Sequence, residues 1–163
     1  LPWKKEAKAK YIPDDGSTEL MMDQRNTSCF VIKFGIPSEQ IVQALWASDM
    51  KLVFASSANP SGKGNKGKLN GVGTRIESEA DILVEADDYV ASIQPGVSEF
   101  SRYEQGVMIS MVDNLGKLVP EQNGQRCAPP CPTLIRKGLD VDRIMSNLSR
   151  HYQSWDYRHG HYY

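Results

Sequence analysis

The run Ser56-Ser57-Ala58-Asn59-Pro60-Ser61-Gly62 gathers hydroxyls and a carboxamide within seven residues and leads straight into Lys63-Gly64-Asn65-Lys66-Gly67-Lys68. Hydroxyl and amide groups donate hydrogen bonds, lysines neutralise charge, and glycine lets backbone N–H groups approach a ligand closely. These types in this order suit an oxyanion, either phosphate or carboxylate. The candidate binding residues are Ser57, Asn59, Ser61, Lys63, Lys66 and Lys68. Serine and asparagine also satisfy local backbone in tight turns, so on residue types alone a plain turn and an anion site both remain open.

Two phosphate-binding patterns fit this stretch formally. Residues 62–68 match G-x-x-x-x-G-K, and residues 62–67 match G-x-G-x-x-G. Both motifs work by setting phosphate on the amino end of a helix that begins at once, and the first needs Ser or Thr after its lysine for magnesium. Here Leu69 follows, and Asn70-Gly71-Val72-Gly73 is a poor helix start. A cationic loop beside an anion site and a merely solvated loop both remain open. Cys127-Ala-Pro-Pro-Cys131 is at most half of a zinc site, with Cys29, His151, His159 and His161 as the other available ligands and no second pair at finger-like spacing. No metal centre is expected there or at His159-Gly160-His161.

The elements that must position these groups alternate. Residues 29–34 (Cys-Phe-Val-Ile-Lys-Phe) read as a strand, and residues 39–48 as a helix with Ile41, Val42, Leu45 and Trp46 on one face. Residues 51–55 read as a strand again, which places the Ser/Asn turn at a strand's carboxyl end, where open α/β sheets bind ligands. Thr74-Arg-Ile-Glu77 has capping-box spacing, and residues 81–84 and 107–112 read as strands. Asn114-Leu-Gly116 is a turn, and Thr133-Leu-Ile-Arg136 a last strand candidate. Val141, Ile144, Met145 and Leu148 trace the stripe of a final helix. Residues 151–163 form an aromatic tail whose Trp155, Tyr157, Tyr162 and Tyr163 need apolar surface to cover, on the sheet or on a second copy of the chain.

With 163 residues, 40% of them apolar and 24% charged, the chain has the material for a single domain with a hydrophobic core. A net charge of −1 gives no global field for nucleic acid, so such a partner would need the local patch of Lys63, Lys66 and Lys68. No apolar run approaches bilayer length and no signal-peptide pattern opens the chain, so a cytoplasmic protein without a membrane partner is expected.

Residues 56–62 closely resemble the T-S-A-N-x-S-G signature of the YrdC/YciO family, whose best understood members make threonylcarbamoyl-AMP from threonine, bicarbonate and ATP. Further elements agree in order. Arg136-Lys137-Gly138 resembles the family's late R-x-G segment, Ile36-Pro37 its R-[VI]-P step, and Asp81-Ile-Leu-Val84 its Asp-led apolar strand. The resemblance implies a three-layer α/β domain of the YrdC/RibB-like kind, with a twisted mixed sheet and a concave cationic cleft. It also implies that Ser57 and Asn59 bind substrate or nucleotide, that Ser61 shapes the turn, and that Arg136 neutralises phosphate charge. ATP would arrive as its Mg2+ complex, and the product would serve threonylcarbamoyladenosine formation on transfer RNA.

The departures are equally specific. Neither the family's Y-P-T-[DE]-x-x-Y-G element nor its K-x-R-x-x-x-P loop is found in residues 1–28, so the resemblance covers the carboxyl-terminal portion of the domain. Gly106-Val-Met-Ile-Ser-Met-Val-Asp113 stands where S-T-V-V-D is expected, and Lys33 where the family has Arg before the proline. Lysine keeps the charge and loses the planar fork. These losses leave a second expectation open, a non-catalytic module of the same fold that binds nucleotide or double-stranded RNA, monomeric or as a homo-oligomer.

Overall fold

The computed structural model describes residues 1–50, 52–60, 67–102, 106–124 and 129–158. In chain order the elements are α1 (Lys5–Tyr11), α2 (Thr18–Met21), β1 (Val31–Ile32), α3 (Ile36–Ala47), α4 (Thr74–Glu79), α5 (Asp87–Ser92), β2 (Val107–Ser110), β3 (Thr133–Arg136), α6 (Val141–Leu148) and β4 (Asp156–Tyr157), with a 3-10 turn at Leu69–Gly71. The fold is α/β. The residues group into two compact units, Leu1–Phe54 with Gln105–Tyr163, and Ala55–Glu104.

The first unit carries the sheet, in the order β1-β2-β3-β4. β1 and β3 run antiparallel to β2, and β4 runs parallel to β3, so the sheet is mixed. Its core follows directly from the apolar patterning. Val107, Ile109 and Leu134 are buried together, and Met111, Val141, Ile144, Met145 and Leu148 pack against them. The stripe expected of the final helix is therefore what seats α6 on the sheet. These α6 side chains are partly buried, so each contributes a fraction of the about 1.5–3 kcal/mol that full burial brings, and together they hold a helix of only eight residues in place.

Two five-residue turns of the same construction brace this unit. At Asp23, one carboxylate oxygen accepts the N–H groups of Arg25 (2.9 Å) and Thr27 (3.0 Å), the Asp23 N–H donates to Thr27 O, and Asn26 N–H donates to Asp23 O. At Asp113, the carboxylate accepts from Leu115 (2.8 Å) and Lys117 (2.9 Å), with the matching bonds between Asp113 and Lys117 and between Gly116 and Asp113. In each, the fourth residue takes a left-handed backbone, Asn26 at φ 58° and Gly116 at φ 78°. The turns also touch: Arg25 Nη1 donates to Asp113 O at 3.3 Å, and a Cβ on Gly116 would lie 2.9 Å from the Arg25 backbone oxygen.

Burial pushes the Asp23 carboxyl up. The bonds from Thr27 and Arg25, including an Arg25 ion pair at 2.6 Å, outweigh it and hold the group below its ordinary value of 3.8. A depressed carboxyl stabilises the fold above its unfolded pKa, and that contribution disappears as the pH falls through the folded value. Acid titration of stability should therefore show wild type losing its advantage over Asp23→Asn below pH ~4, with the two melting temperatures converging there and separated at neutral pH.

A third brace joins the chain beyond α6 to the sheet. Gln122 is buried at 3% exposure, and its side-chain oxygen accepts from Gln153 N (3.0 Å) and Ser154 N (3.2 Å), while its own N–H donates to His151 O. This clamp directs the chain into β4, where Asp156 N donates to Pro132 O at 2.8 Å and Arg158 N to Leu134 O at 3.0 Å. The tail thus reaches the sheet through its backbone. Tyr157 lies on that edge strand with Lys137 Nζ 5.2 Å from its ring, and Trp155 stays exposed. Tyr162 and Tyr163 lie outside the described residues.

Several local expectations are corrected. Residues 52–57 form no regular element, and neither do residues 82–86; Val53, Phe54, Ile82 and Val84 are exposed. An apolar run expresses a demand for burial, and it becomes strand only where a neighbour completes the hydrogen-bond ladder. The segment at 29–34 pairs over only Val31–Ile32, because Lys33 turns at φ 57° and Gly35 at φ 112° to begin α3. α3 starts earlier than expected, with Pro37 in its first turn, and none of its residues is buried: Ile41 and Val42 face solvent. At α4 the N-cap is Gly73, at φ 87° with no side-chain cap bond, so Thr74 is a helical residue and the capping box does not form.

Candidate functional site

Asn59 is the residue of the Ser/Asn run that the fold places on a cavity. Its carboxamide nitrogen donates to Pro60 O at 3.1 Å, and with Pro60 it borders a cleft of about 480 Å³ in the second unit. Val72, Gly73, Thr74, Arg75, Ile76 and Glu79 complete the walls. Gly73 is required for this closure, because a Cβ there would sit 2.9 Å from the Pro60 ring at a backbone angle that L side chains rarely adopt. The cleft offers an amide, a hydroxyl, a guanidinium and a carboxylate over an apolar floor. Arg75 Nε lies 3.0 Å from Glu79 Oε1 across one helical turn, and both are exposed, so a ligand can exchange for that pair at little cost.

Ser57 is exposed in the irregular segment that precedes the bend at residues 58 and 59. Lys68 is half-buried and forms an ion pair with Glu99. Ser61, Lys63 and Lys66 lie outside the described residues. Among the residues the sequence reading did not select, Thr74, Arg75 and Glu79 line the cleft. The spacing of Arg75 and Glu79 on a helix was a visible signal, but only folding shows which cavity that turn borders.

Arg136 belongs to the first unit, at the end of β3. Across Met108 and Ile109 the β2 partner jumps from Arg136 to Leu134, which leaves Ile135 as the extra residue of a β-bulge. Bulges re-aim the neighbouring side chain. Here the Arg136 Nε donates to Gly106 O at 3.1 Å. Gly106 admits no side chain: a Cβ would lie 2.2 Å from Val31 Cγ1, 3.2 Å from Arg136 Nη2 and 3.3 Å from Phe34. The guanidinium is thus oriented by a backbone carbonyl that only a glycine can bring so near. Lys33, adjacent to Phe34 in sequence, directs its ammonium to Glu39 at 3.5 Å. Of the expected anion-binding groups, Ser57, Asn59 and Lys68 belong to one unit and Arg136 to the other.

Among the described residues no group of His, Cys, Asp or Glu is arranged to hold a metal ion, and no helix is long and apolar enough to cross a membrane. Cys127, His159 and His161 lie outside the described residues.

No family model matches the sequence, and no curated protein matches it. Among solved structures the chain is similar to a hypothetical protein, smu.1377c from Streptococcus mutans UA159, at 55% identity and a TM-score of 0.82. The match covers 99% of this chain and 62% of that one, so the chain spans less than two thirds of its neighbour's length.

Proposed function

We propose that this chain is a nucleotide-binding domain of the YrdC-like kind, with the three-layer arrangement of that family, acting in the cytoplasm in the making of threonylcarbamoyl-AMP for transfer RNA modification. The observation that carries the reading is the position of Asn59, the one asparagine of the Ser-Ala-Asn-Pro-Ser-Gly run, on a cleft whose other polar groups are Thr74, Arg75 and Glu79. In the proposed reaction the threonine amine forms a C–N bond to the carbon of bicarbonate as a C–O bond breaks and water leaves, giving N-carboxythreonine. One of its carboxylate oxygens forms a bond to the α-phosphorus of Mg2+·ATP as the bond from that phosphorus to pyrophosphate breaks. Asn59 and Ser57 would donate to substrate or nucleotide, and Lys68 of the same unit would neutralise phosphate oxygens, as preorganised cations do in phosphoryl transfer.

A second reading has its own support. Lys33, standing where the family has Arg, is engaged with Glu39, which favours a non-catalytic module holding nucleotide or double-stranded RNA by its phosphates. RNA binding of that kind falls steeply with salt.

Calorimetric titration of Mg2+·ATP into the protein tests the nucleotide reading. Wild type should bind, and Asn59→Ala and Lys68→Ala should each weaken binding about tenfold, the effect of losing one charge-assisted or desolvated hydrogen bond. Unchanged affinity in Asn59→Ala with its fold intact would remove the cleft from the proposal. Tight, salt-sensitive binding of duplex RNA without ATP binding would favour the second reading.

A further inference from the structure

We infer that Arg102 and Lys68 form an oxyanion site of the phosphate type, guarded by Glu99, within the second unit. This deepens the nucleotide reading, and only the identification of the anion as a nucleotide's phosphate rests on it.

The argument begins with an unspent donor. Arg102 Nε is shut off from solvent and has no hydrogen-bond acceptor. A buried N–H left unmade forfeits about 1–3 kcal/mol and calls for an explanation. The rest of the guanidinium is held loosely, since Nη1 reaches Gly67 O only at 3.5 Å, the limit of hydrogen bonding. A guanidinium is a planar fork matched to two oxygens of one anion. In this conformation Arg102 uses that capacity barely at all.

The surroundings fix the position of the fork. Gly67 takes φ 63°, and a Cβ on it would lie 2.9 Å from Val90 Cγ1 and 3.9 Å from Arg102 Cδ, so the backbone is pressed between α5 and the arginine. Leu69 N–H donates to Asp87 Oδ1 at 2.9 Å, which pins the next turn of chain. Between these two anchors lies Lys68, its ammonium paired with Glu99. Glu99 precedes Arg102 by three residues in the turn where Ser101 N donates to Ser98 O.

Among the described residues, Glu99 and Asp87 set two carboxylates against the two cations. An entering anion must therefore take Lys68 from Glu99, and in doing so supplies the acceptor that Arg102 lacks. Glu99 acts as an internal competitor that sets the affinity of the site. No covalent step is involved.

The experiment titrates inorganic pyrophosphate, Mg2+·ATP and adenosine into the full chain and into Arg102→Gln, Arg102→Lys, Lys68→Gln and Glu99→Gln, with a thermal melt of each. Pyrophosphate binding should weaken about tenfold in Arg102→Gln and Lys68→Gln, corresponding to one lost charged contact. It should weaken less in Arg102→Lys and tighten severalfold in Glu99→Gln. Arg102→Gln should melt no lower than wild type, because the donor it removes is unsatisfied. Failure of wild type to bind pyrophosphate overturns the inference. So does an Arg102→Gln variant that melts lower at unchanged affinity, which would make Arg102 a strut. ATP affinity that responds to Asn59→Ala while pyrophosphate ignores Arg102→Gln defeats this inference and leaves the nucleotide reading standing. The reverse pattern, with ATP held no better than pyrophosphate and adenosine not bound, keeps the anion site and defeats the nucleotide reading.

Discussion

Gly106→Ala is expected to cost about 3 kcal/mol of folding stability, at the upper end of what overpacking a filled site normally costs. The added methyl would meet Val31 Cγ1 at 2.2 Å, far inside van der Waals contact, with Arg136 Nη2 and Phe34 closing the other sides at 3.2 and 3.3 Å. Relief requires β1 to move off β2, and that pairing consists of only two residue pairs, Val31 with Met108 and Ile32 with Val107. The same movement withdraws the Gly106 carbonyl from the Arg136 Nε. Denaturant unfolding should show the loss, and trimming Val31 to Ala in the Gly106→Ala background should recover at least about 1 kcal/mol, the coupling expected of side chains in direct contact. A Gly106→Ala protein as stable as wild type would mean that the β1–β2 edge is not packed as described.

The turnover experiment carries the largest expected effect on activity. Expelling pyrophosphate from ATP requires cations aimed at the β- and γ-phosphates as charge moves onto the leaving group, and losing one such preorganised contact typically lowers the rate about a hundred-fold or more. The sequence contains no K-x-R-x-x-x-P segment, and Lys33 is engaged with Glu39. The 163-residue chain, given threonine, bicarbonate, Mg2+ and ATP, should therefore release pyrophosphate at least about a hundred-fold more slowly than a version of it supplied with an amino-terminal segment that carries K-x-R-x-x-x-P. Robust turnover by the short chain would show that the leaving-group cations lie among its own residues. No turnover by either protein would favour the binding-module reading.

The amino-acid sequence alone determined those elements in which local pattern and burial agree. The stripe Val141, Ile144, Met145 and Leu148 specifies α6, because one helical face carries all of its apolar groups and the sheet accepts that face. Thr133–Arg136 and Val107–Ser110 are legible as strands because each is apolar enough to be buried on both sides. The turn at Asn114-Leu-Gly116 is legible because Asn and Gly favour turns, and in the fold the preceding Asp113 carboxylate closes it. For the site, residue type marks Ser57 and Asn59 as hydrogen-bond donors in a turn, whereas Arg136 enters only through the family resemblance.

Tertiary structure decided the rest. Residues 52–57 and 82–86 have strand composition, yet a strand exists only if a second segment supplies its ladder, and that pairing is non-local. The same reason limits β1 to two residues and makes β4 from an aromatic tail whose local sequence has no strand period. Which polar groups share a cavity is likewise a matter of packing: Asn59 meets Thr74 and Arg75, fifteen and sixteen positions along, because Gly73 lets Pro60 approach. Arg102 could not be singled out from the sequence at all. Its significance is an unmet hydrogen bond, and only the folded arrangement of Gly67, Lys68, Val90 and Glu99 around it determines whether that donor is satisfied.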